Sequence, residues 1–187
     1  GASRRLTTQT SHFEFFPSYS RDGSSIVFAT WHDEQLGSIR VVTDGVEHTL
    51  TTEKGHYVDP VFTPDGTEVY FGKGSGAYLT NPFWSIKPGL YRVPAHGGPV
   101  QFVSRKGTNA QFGADGERVY LLTVESQKES DRRCLISMKP DGTDERTHAV
   151  SENAVEYRVS PDGKWLAFAE RYNVFVTPLT AIGREVN

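Results

Sequence analysis

The dipeptide Asp-Gly recurs at four equivalent places in the chain, each time between two runs rich in apolar and aromatic residues. These places are Asp22-Gly23, Asp65-Gly66, Asp115-Gly116 and Asp162-Gly163, which lie about 45 residues apart. Asp-Gly between runs of alternating polarity is a strong signal for a tight β-hairpin. A hairpin repeated at this period is typical of a β-propeller, in which each repeat forms one small antiparallel sheet, or blade. We therefore predict an all-β fold of four propeller blades.

The repeats predict a single β-propeller domain over residues 1–187, with blades at about 10–53, 54–105, 106–152 and 153–180. The fourth repeat stops after three strands, whereas the opening run ASRRLTTQ resembles an outer strand such as VEHTLTTEKG. Residues 1–9 are therefore expected to form a closing outer strand. Three arrangements are open at this point: a closed four-bladed ring, half of an eight-bladed ring made by two chains, and part of a larger propeller.

Composition excludes several classes of partner. The 187 residues include 20 Lys and Arg against 23 Asp and Glu, a formal net charge of −3. Because this gives no basic field, we expect no nucleic-acid partner. No apolar run approaches the ~18 residues that span a membrane, so no membrane span is expected. The single cysteine, Cys134, excludes an internal disulfide and is expected to be a small buried residue.

Alignment of the repeats on Asp-Gly shows one position where they differ in a chemically useful way. Six residues before each Asp lie Phe16, Asp59, Asn109 and Glu156. In a propeller this position begins the innermost strand, so the four side chains would encircle one mouth of the central channel. The three polar residues would offer oxygen ligands to a ligand amine or to a hard cation such as calcium. The alternative is a solvated polar ring that only caps the channel with water. His12 and His56 lie a few residues earlier and could reach the same rim.

The remaining candidates are histidines and exposed rings. His12, His32 and His56 could converge from neighbouring blades, although no pair has the spacing of a helical metal site, and the metal content is not predicted. A long insertion in the second repeat carries Tyr78, Phe83 and Trp84, and Trp31 ends a strand on the same rim. Exposed rings of this kind would mark a partner surface.

The repeat units SRDG, TPDG and SPDG, each followed by apolar strand residues, resemble the TolB-like propeller repeat from about Arg4 to Thr180. The runs WHDEQLGSIRVV and LTNPFWSIKPGLYRVPAHGGPVQFV are most similar to propellers fused to bacterial amidohydrolases. The resemblance implies a bacterial protein that is periplasmic or otherwise extracytoplasmic, with the cytoplasm as the alternative. It also implies that chemistry belongs to a separate hydrolase domain.

The sequence carries no Gly-x-Ser-x-Gly elbow or other nucleophile motif. We therefore expect a non-enzymatic scaffold for binding or gating a protein or peptide, accessory to a hydrolase and without a cofactor apart from a cation such as calcium. The alternative is a small metal-dependent propeller lyase or hydrolase with its site at the channel mouth. The two-chain ring would make the protein a homodimer.

Overall fold

The structure, a computed structural model, describes residues 1–74, 87–126 and 130–179 and the backbone of residues 184–185. Every regular element within these residues is a β-strand, which confirms the all-β propeller fold predicted from the repeats. No helix long and apolar enough to cross a membrane occurs in the described parts of the chain. The chain forms two compact units, Gly1–Arg105 and Lys106–Asn187.

The first unit contains two four-stranded antiparallel sheets, blade 1 and blade 2, whose strands neighbour one another in chain order. The strands of blade 1 are β1 (Phe13–Tyr19), β2 (Ser25–Trp31), β3 (Ser38–Thr43) and β4 (Val46–Thr49). Those of blade 2 are β5 (Tyr57–Phe62), β6 (Glu68–Lys73), β7 (Gly89–Pro94) and β8 (Gln101–Ser104).

The second unit contains blade 3 and blade 4. The antiparallel strands of blade 3 are β9 (Thr108–Phe112), β10 (Val119–Ser126), β11 (Asp131–Met138) and β12 (Arg146–Ser151). The strands of blade 4 are β13 (Ala154–Val159), β14 (Trp165–Glu170) and β15 (Asn173–Pro178). A short strand, β16 (Arg184–Glu185), pairs in parallel with β12. Among the described residues, blade 4 has three strands and each of the other blades has at least four.

The Asp-Gly turns join the first and second strands of every blade and fix their register. Gly23, Gly66, Gly116 and Gly163 all have φ between 68° and 75°, a conformation that glycine adopts without a steric cost. The aspartate before each glycine accepts a hydrogen bond from the backbone N–H two residues later, as at Asp65 Oδ1 and Thr67 N, 3.1 Å apart. These carboxylates are thus structural parts of the turns.

The two faces of each blade have different partners. We call the leading face the side of a blade that bears Ile39 and its equivalents, and the trailing face the side that bears Phe28 and its equivalents. In the first unit the leading face of blade 1 packs on the trailing face of blade 2, with Ile39 and Phe71 both fully buried. In the second unit Leu135 of blade 3 and Phe168 of blade 4 meet in the same way. Cys134 is buried beside this second core, as predicted.

Residues 1–9 belong to no strand in the structure. Arg4, Arg5, Leu6 and Thr7 lie instead along the trailing face of blade 1. The closing role of this segment and the choice among the three ring arrangements stay predictions.

Candidate functional site

Three of the four aligned positions of the predicted channel mouth share an unusual backbone. Phe16, Asp59 and Asn109 adopt φ values of 55°, 48° and 54°, which lie in the left-handed region. Each lies where the pairing of the first strand shifts register, and Glu156 borders the equivalent shift in β13. A bulge of this kind bends the strand and turns a side chain in a new direction. Left-handed backbone costs a non-glycine residue about 1 kcal/mol, so the blades hold these residues in place by their surrounding pairing.

Two of these residues share a cation that the sequence interpretation missed. The guanidinium Nε of Arg158 donates to Glu156 Oε1 at 2.6 Å, and its Nη1 lies 3.4 Å from Asn109 Oδ1. Arg158 lies two residues after Glu156 on β13, so strand alternation puts both on one face. The charge of Glu156 is therefore already compensated. Asp59 belongs to the first unit, and the prediction that all four residues share one mouth stays a prediction.

The first unit brings together five rings, at the end of its blades away from the Asp-Gly turns. We call His12, Phe13, Trp31, His32 and His56 the rim cluster. The ring centroids of His12 and His32 are 5.4 Å apart, and those of Trp31 and His56 are 5.5 Å apart with an edge-on angle of 73°. Phe13 pairs with Trp31 across β1 and β2 and is 65% exposed, while the other four are half-buried.

Hydrogen bonds orient three rings of the rim cluster. Nδ1 of His32 accepts the backbone N–H groups of Glu34 and Gln35 at 3.1 and 3.2 Å. The neutral ring of His32 therefore carries its proton on Nε2, where it can donate. Trp31 Nε1 donates to Asp33 Oδ1 at 3.0 Å. His12 Nδ1 lies 2.7 Å from the hydroxyl of Ser11.

Two loops beneath the rim cluster are fixed to each other by glycines. Gly37 N donates to Gly55 O at 2.8 Å. A Cβ on Gly37 would lie 2.7 Å from the carbonyl oxygens of both Gly55 and Thr30, so only glycine permits this approach. The bridge holds the loop that ends at His56 against the loop that follows Trp31.

An ion pair between the buried Lys73 and the exposed Glu53 anchors the same loop. Lys73 Nζ lies 2.7 Å from Glu53 Oε1 and 5.7 Å from the centroid of the Tyr91 ring. The hydroxyl of Tyr57 donates to the backbone oxygen of Glu53 at 2.6 Å. Burial, with a smaller contribution from the charge of Glu53, raises the pKa of Tyr57 to about 12. The rim cluster thus rests on a packed and hydrogen-bonded support.

The structure brings only some of the other predicted residues together. The rings of His12 and His32 are adjacent, whereas His56 packs on Trp31. Within residues 1–74, 87–126 and 130–179 no three His, Cys, Asp or Glu side chains form a group suited to a metal ion. Of the predicted partner surface, Trp31 lies in the rim cluster, whereas Tyr78, Phe83 and Trp84 lie outside the described residues. The proposed calcium ligands stay predictions.

No family model and no curated protein matches the sequence. Several solved structures do match its fold. TolB from Acinetobacter baumannii superposes with a TM-score of 0.62 at 18% identity, over 95% of this chain and 46% of its own. An oligogalacturonate lyase from Vibrio parahaemolyticus gives 0.72 at 11% identity, over 94% of this chain and 54% of its own.

A puromycin-hydrolyzing peptidase from Mycobacterium tuberculosis gives a TM-score of 0.63 at 15% identity, over 92% of this chain and 31% of its own. The chain thus spans about half the length of the TolB and lyase chains and less of the peptidase. Sequence identities between 11% and 18% show a shared fold and do not show a shared activity. The structural neighbours of this chain are therefore TolB and related propeller proteins, and its fold is that of a TolB-like β-propeller.

Proposed function

We propose that the chain is a non-enzymatic propeller scaffold that binds or gates a protein or peptide at the rim cluster. The observation that carries the proposal is the pairing of exposed and half-buried rings with fixed orientation on one rim of the first unit. Rings that are already held lose little conformational freedom on binding, which is why Trp and Tyr anchors dominate recognition surfaces. Gly74, which lies within the predicted insertion that carries Tyr78, Phe83 and Trp84, donates its N–H to His56 O at 2.8 Å.

The chemistry of the rim cluster indicates the kind of segment it would take. Trp31 and Phe13 offer apolar ring surface, and His32 offers an Nε2–H donor beside them. We expect an extended peptide with an apolar or aromatic side chain followed closely by a carbonyl or carboxylate acceptor. Such a segment would place its ring against Trp31 and its acceptor on His32.

Selection from a displayed peptide library on the immobilised protein tests this proposal. Affinities of the enriched peptides are then measured for the wild-type protein, Trp31→Ala and a matched control, Trp165→Ala, which removes a 48% exposed tryptophan from the second unit. We expect Trp31→Ala to weaken binding about 30-fold, the effect of losing a hot spot of about 2 kcal/mol, and Trp165→Ala to leave it unchanged. Peptides that bind both variants equally would contradict the proposal, as would a selection that enriches none.

We also propose that the scaffold is accessory to a hydrolase and acts in the periplasm. The support is the resemblance of its repeats to amidohydrolase-fused propellers and the match to part of a peptidase chain. The reading frame on both sides of this segment is the direct test. A hydrolase domain in frame, together with an export signal and recovery in the periplasmic fraction, is the expected result. A complete frame without either would contradict this assignment.

A further inference from the structure

Contacts between consecutive blades follow one rule within each unit. The leading face of a blade presents small aliphatic residues of its second and third strands, and the trailing face of the next blade presents larger rings. In the first unit Ile39 and Val41 of blade 1 are buried against Phe62 and Phe71 of blade 2. In the second unit Leu135 is buried in the same way. A leading face therefore fits a trailing face of the next blade.

The leading face of blade 4 is exposed where the equivalent faces of blades 1 and 3 are buried. Register places Val174 where blade 1 has Ile39 and blade 3 has Leu135, both 0% exposed. Val174 itself is 77% exposed, and its neighbour Val176 is 65% exposed. Val174 and Val176 are residues of the type found on a packed leading face, but both are exposed to solvent.

The trailing face of blade 1 is also exposed. Tyr19 occupies the position of Phe62 in blade 2, which is 6% exposed, yet Tyr19 is 67% exposed. The opening segment runs beside this face and leaves a groove of about 480 Å³, lined by Tyr19, Ile26, Phe28 and Val42 among others. The trailing face of blade 1 therefore exposes residues at positions that are buried in blade 2.

The same opening segment repeats the chemistry that attaches an outer strand. In blade 1, Leu50 N donates to Ile39 O at 2.8 Å, and Ile39 N donates to Thr51 Oγ1 at 2.9 Å. Leu50 is 4% exposed as a result. Residues 6–8 repeat the Leu-Thr-Thr sequence of residues 50–52. Leu6, however, is 39% exposed and pairs with no strand. The outer edge of β15, with Val174 at the Ile39 position, offers this segment the backbone partner it lacks.

The uncovered area is of the size that a stable dimer needs. At about 200 Å² per aromatic side chain, the exposed fractions of Phe15, Phe16 and Tyr19 leave on the order of 300 Å² of ring surface on β1. The exposed valines and rings of blade 4 add a comparable area. Two equivalent contacts in a closed dimer would together bury about 1,200 Å², the lower end of the range for a specific interface.

We propose that two copies of this chain associate head to tail, so that the leading face of blade 4 in one copy packs on the trailing face of blade 1 in the other. Residues 2–8 of the second copy complete blade 4 of the first as its fourth strand. Leu6 then lies opposite Val174, and Thr7 accepts the N–H of Val174 as Thr51 accepts that of Ile39. This surface is separate from the rim cluster, and its test is independent of peptide binding.

Light scattering after size exclusion measures the association directly, over about 1 to 100 µM protein. We expect a dimer for the wild-type protein and a monomer for Val174→Glu, because a buried unpaired carboxylate raises the dissociation constant about a hundredfold or more. The control is Val124→Glu, a 53% exposed valine of β10. It should leave the dimer intact. A monomeric wild-type protein, or a dimer that tolerates Val174→Glu, would overturn the proposal.

Cysteine cross-linking identifies the strand donor. Protein with Leu6→Cys is mixed with protein carrying Val174→Cys and oxidised, since residues opposite each other in a sheet meet the geometry of a disulfide. We expect a covalent dimer between the two variants and none between Leu6→Cys and Val124→Cys. A double variant that cross-links only within its own chain would assign the strand to the same copy and overturn the head-to-tail exchange.

Discussion

The ammonium group of Lys73 lies 2.7 Å from Oε1 of Glu53, and the lysine side chain is only 3% exposed. Removal of Glu53 would leave this buried charge without its carboxylate. We expect Glu53→Ala to lower the free energy of unfolding by about 2 kcal/mol. This is less than for a fully buried pair, because Glu53 is itself 64% exposed. Urea denaturation measures the change.

The matched control is Glu145→Ala, which breaks the exposed ion pair with Lys106. Exposed pairs of this kind contribute about 0.5 kcal/mol or less. Equal losses in the two variants would show that burial of Lys73 gives the Glu53 pair no special weight.

Gly37→Ala should disturb the rim cluster without touching any of its rings. The new Cβ would lie 2.7 Å from two carbonyl oxygens, so the loops that position Trp31 and His56 must move apart. We expect a loss of about 2 kcal/mol in stability and a change in tryptophan fluorescence. In Gly55→Ala the Cβ would meet side-chain atoms of Lys73 at 3.2 Å and of Tyr57 at 3.3 Å rather than backbone oxygens at 2.7 Å, so this variant should be milder. The reverse order would contradict the bridge geometry.

The turn aspartates should make stability depend on acidic pH. The hydroxyl of Thr63, followed by the N–H of Thr67, holds the pKa of Asp65 below its ordinary value, and Ser160 and Lys164 N–H act likewise on Asp162. Because the pKa of the carboxyl is lower in the folded state, the stability it contributes is fully present above its ordinary pKa near 3.8. This contribution is lost as the pH falls through the lowered pKa of the folded state. We expect melting temperatures to fall below about pH 4.

Asp65→Asn keeps the acceptor oxygen and removes the titration. This variant should therefore lose less stability between pH 4 and pH 2 than the wild-type protein does, as measured by thermal melts across that range. An unchanged pH profile would place the acid sensitivity elsewhere.

At the alkaline end we expect the opposite dependence, from Tyr57. Its pKa is raised to about 12, mainly because burial disfavours the phenolate. A raised pKa in the folded state gives stability that is complete below the ordinary value of about 10 and is lost as pH rises toward 12. In an ultraviolet titration, Tyr57→Phe should show one fewer tyrosine that ionises only near pH 12. The stability of this variant should also fall less steeply above pH 10 than that of the wild-type protein.

Metal content separates the binding scaffold from the metal-dependent enzyme. Because Arg158 already compensates Glu156, we expect no stoichiometric metal in the purified protein and no rise in melting temperature at about 1 mM calcium. A stoichiometric metal that is lost in Asp59→Asn would favour the enzyme instead.

Much of the fold could be predicted because the Asp-Gly turn needs a glycine at positive φ and an aspartate whose side chain accepts a backbone N–H of the turn. Both requirements are local, so they are visible in sequence. Alternating polarity then set the register of the strands that flank each turn.

The candidate site was predicted less well because its contacts join distant residues. Lys73 and Glu53 lie in different elements, and nothing local marks the lysine as buried. Arg158 had a weak signal, since it shares a strand face with Glu156, but its approach to Asn109 depends on packing between blades. The left-handed backbone at Phe16 and Asp59 was also hidden, although Pro17 and Pro60 directly after them fit a strand position that cannot donate to the ladder.

The rule that a leading face fits the trailing face of the next blade has a consequence for how such chains change in length. The described contacts, such as Ile39 with Phe71 and Leu135 with Phe168, join neighbouring blades in the same register, and none of them specifies a total number of blades. A segment of about 45 residues could be duplicated or deleted between two Asp-Gly turns without creating a new kind of contact. The count is then decided only where the series terminates, by whatever covers Tyr19 at one end and Val174 at the other.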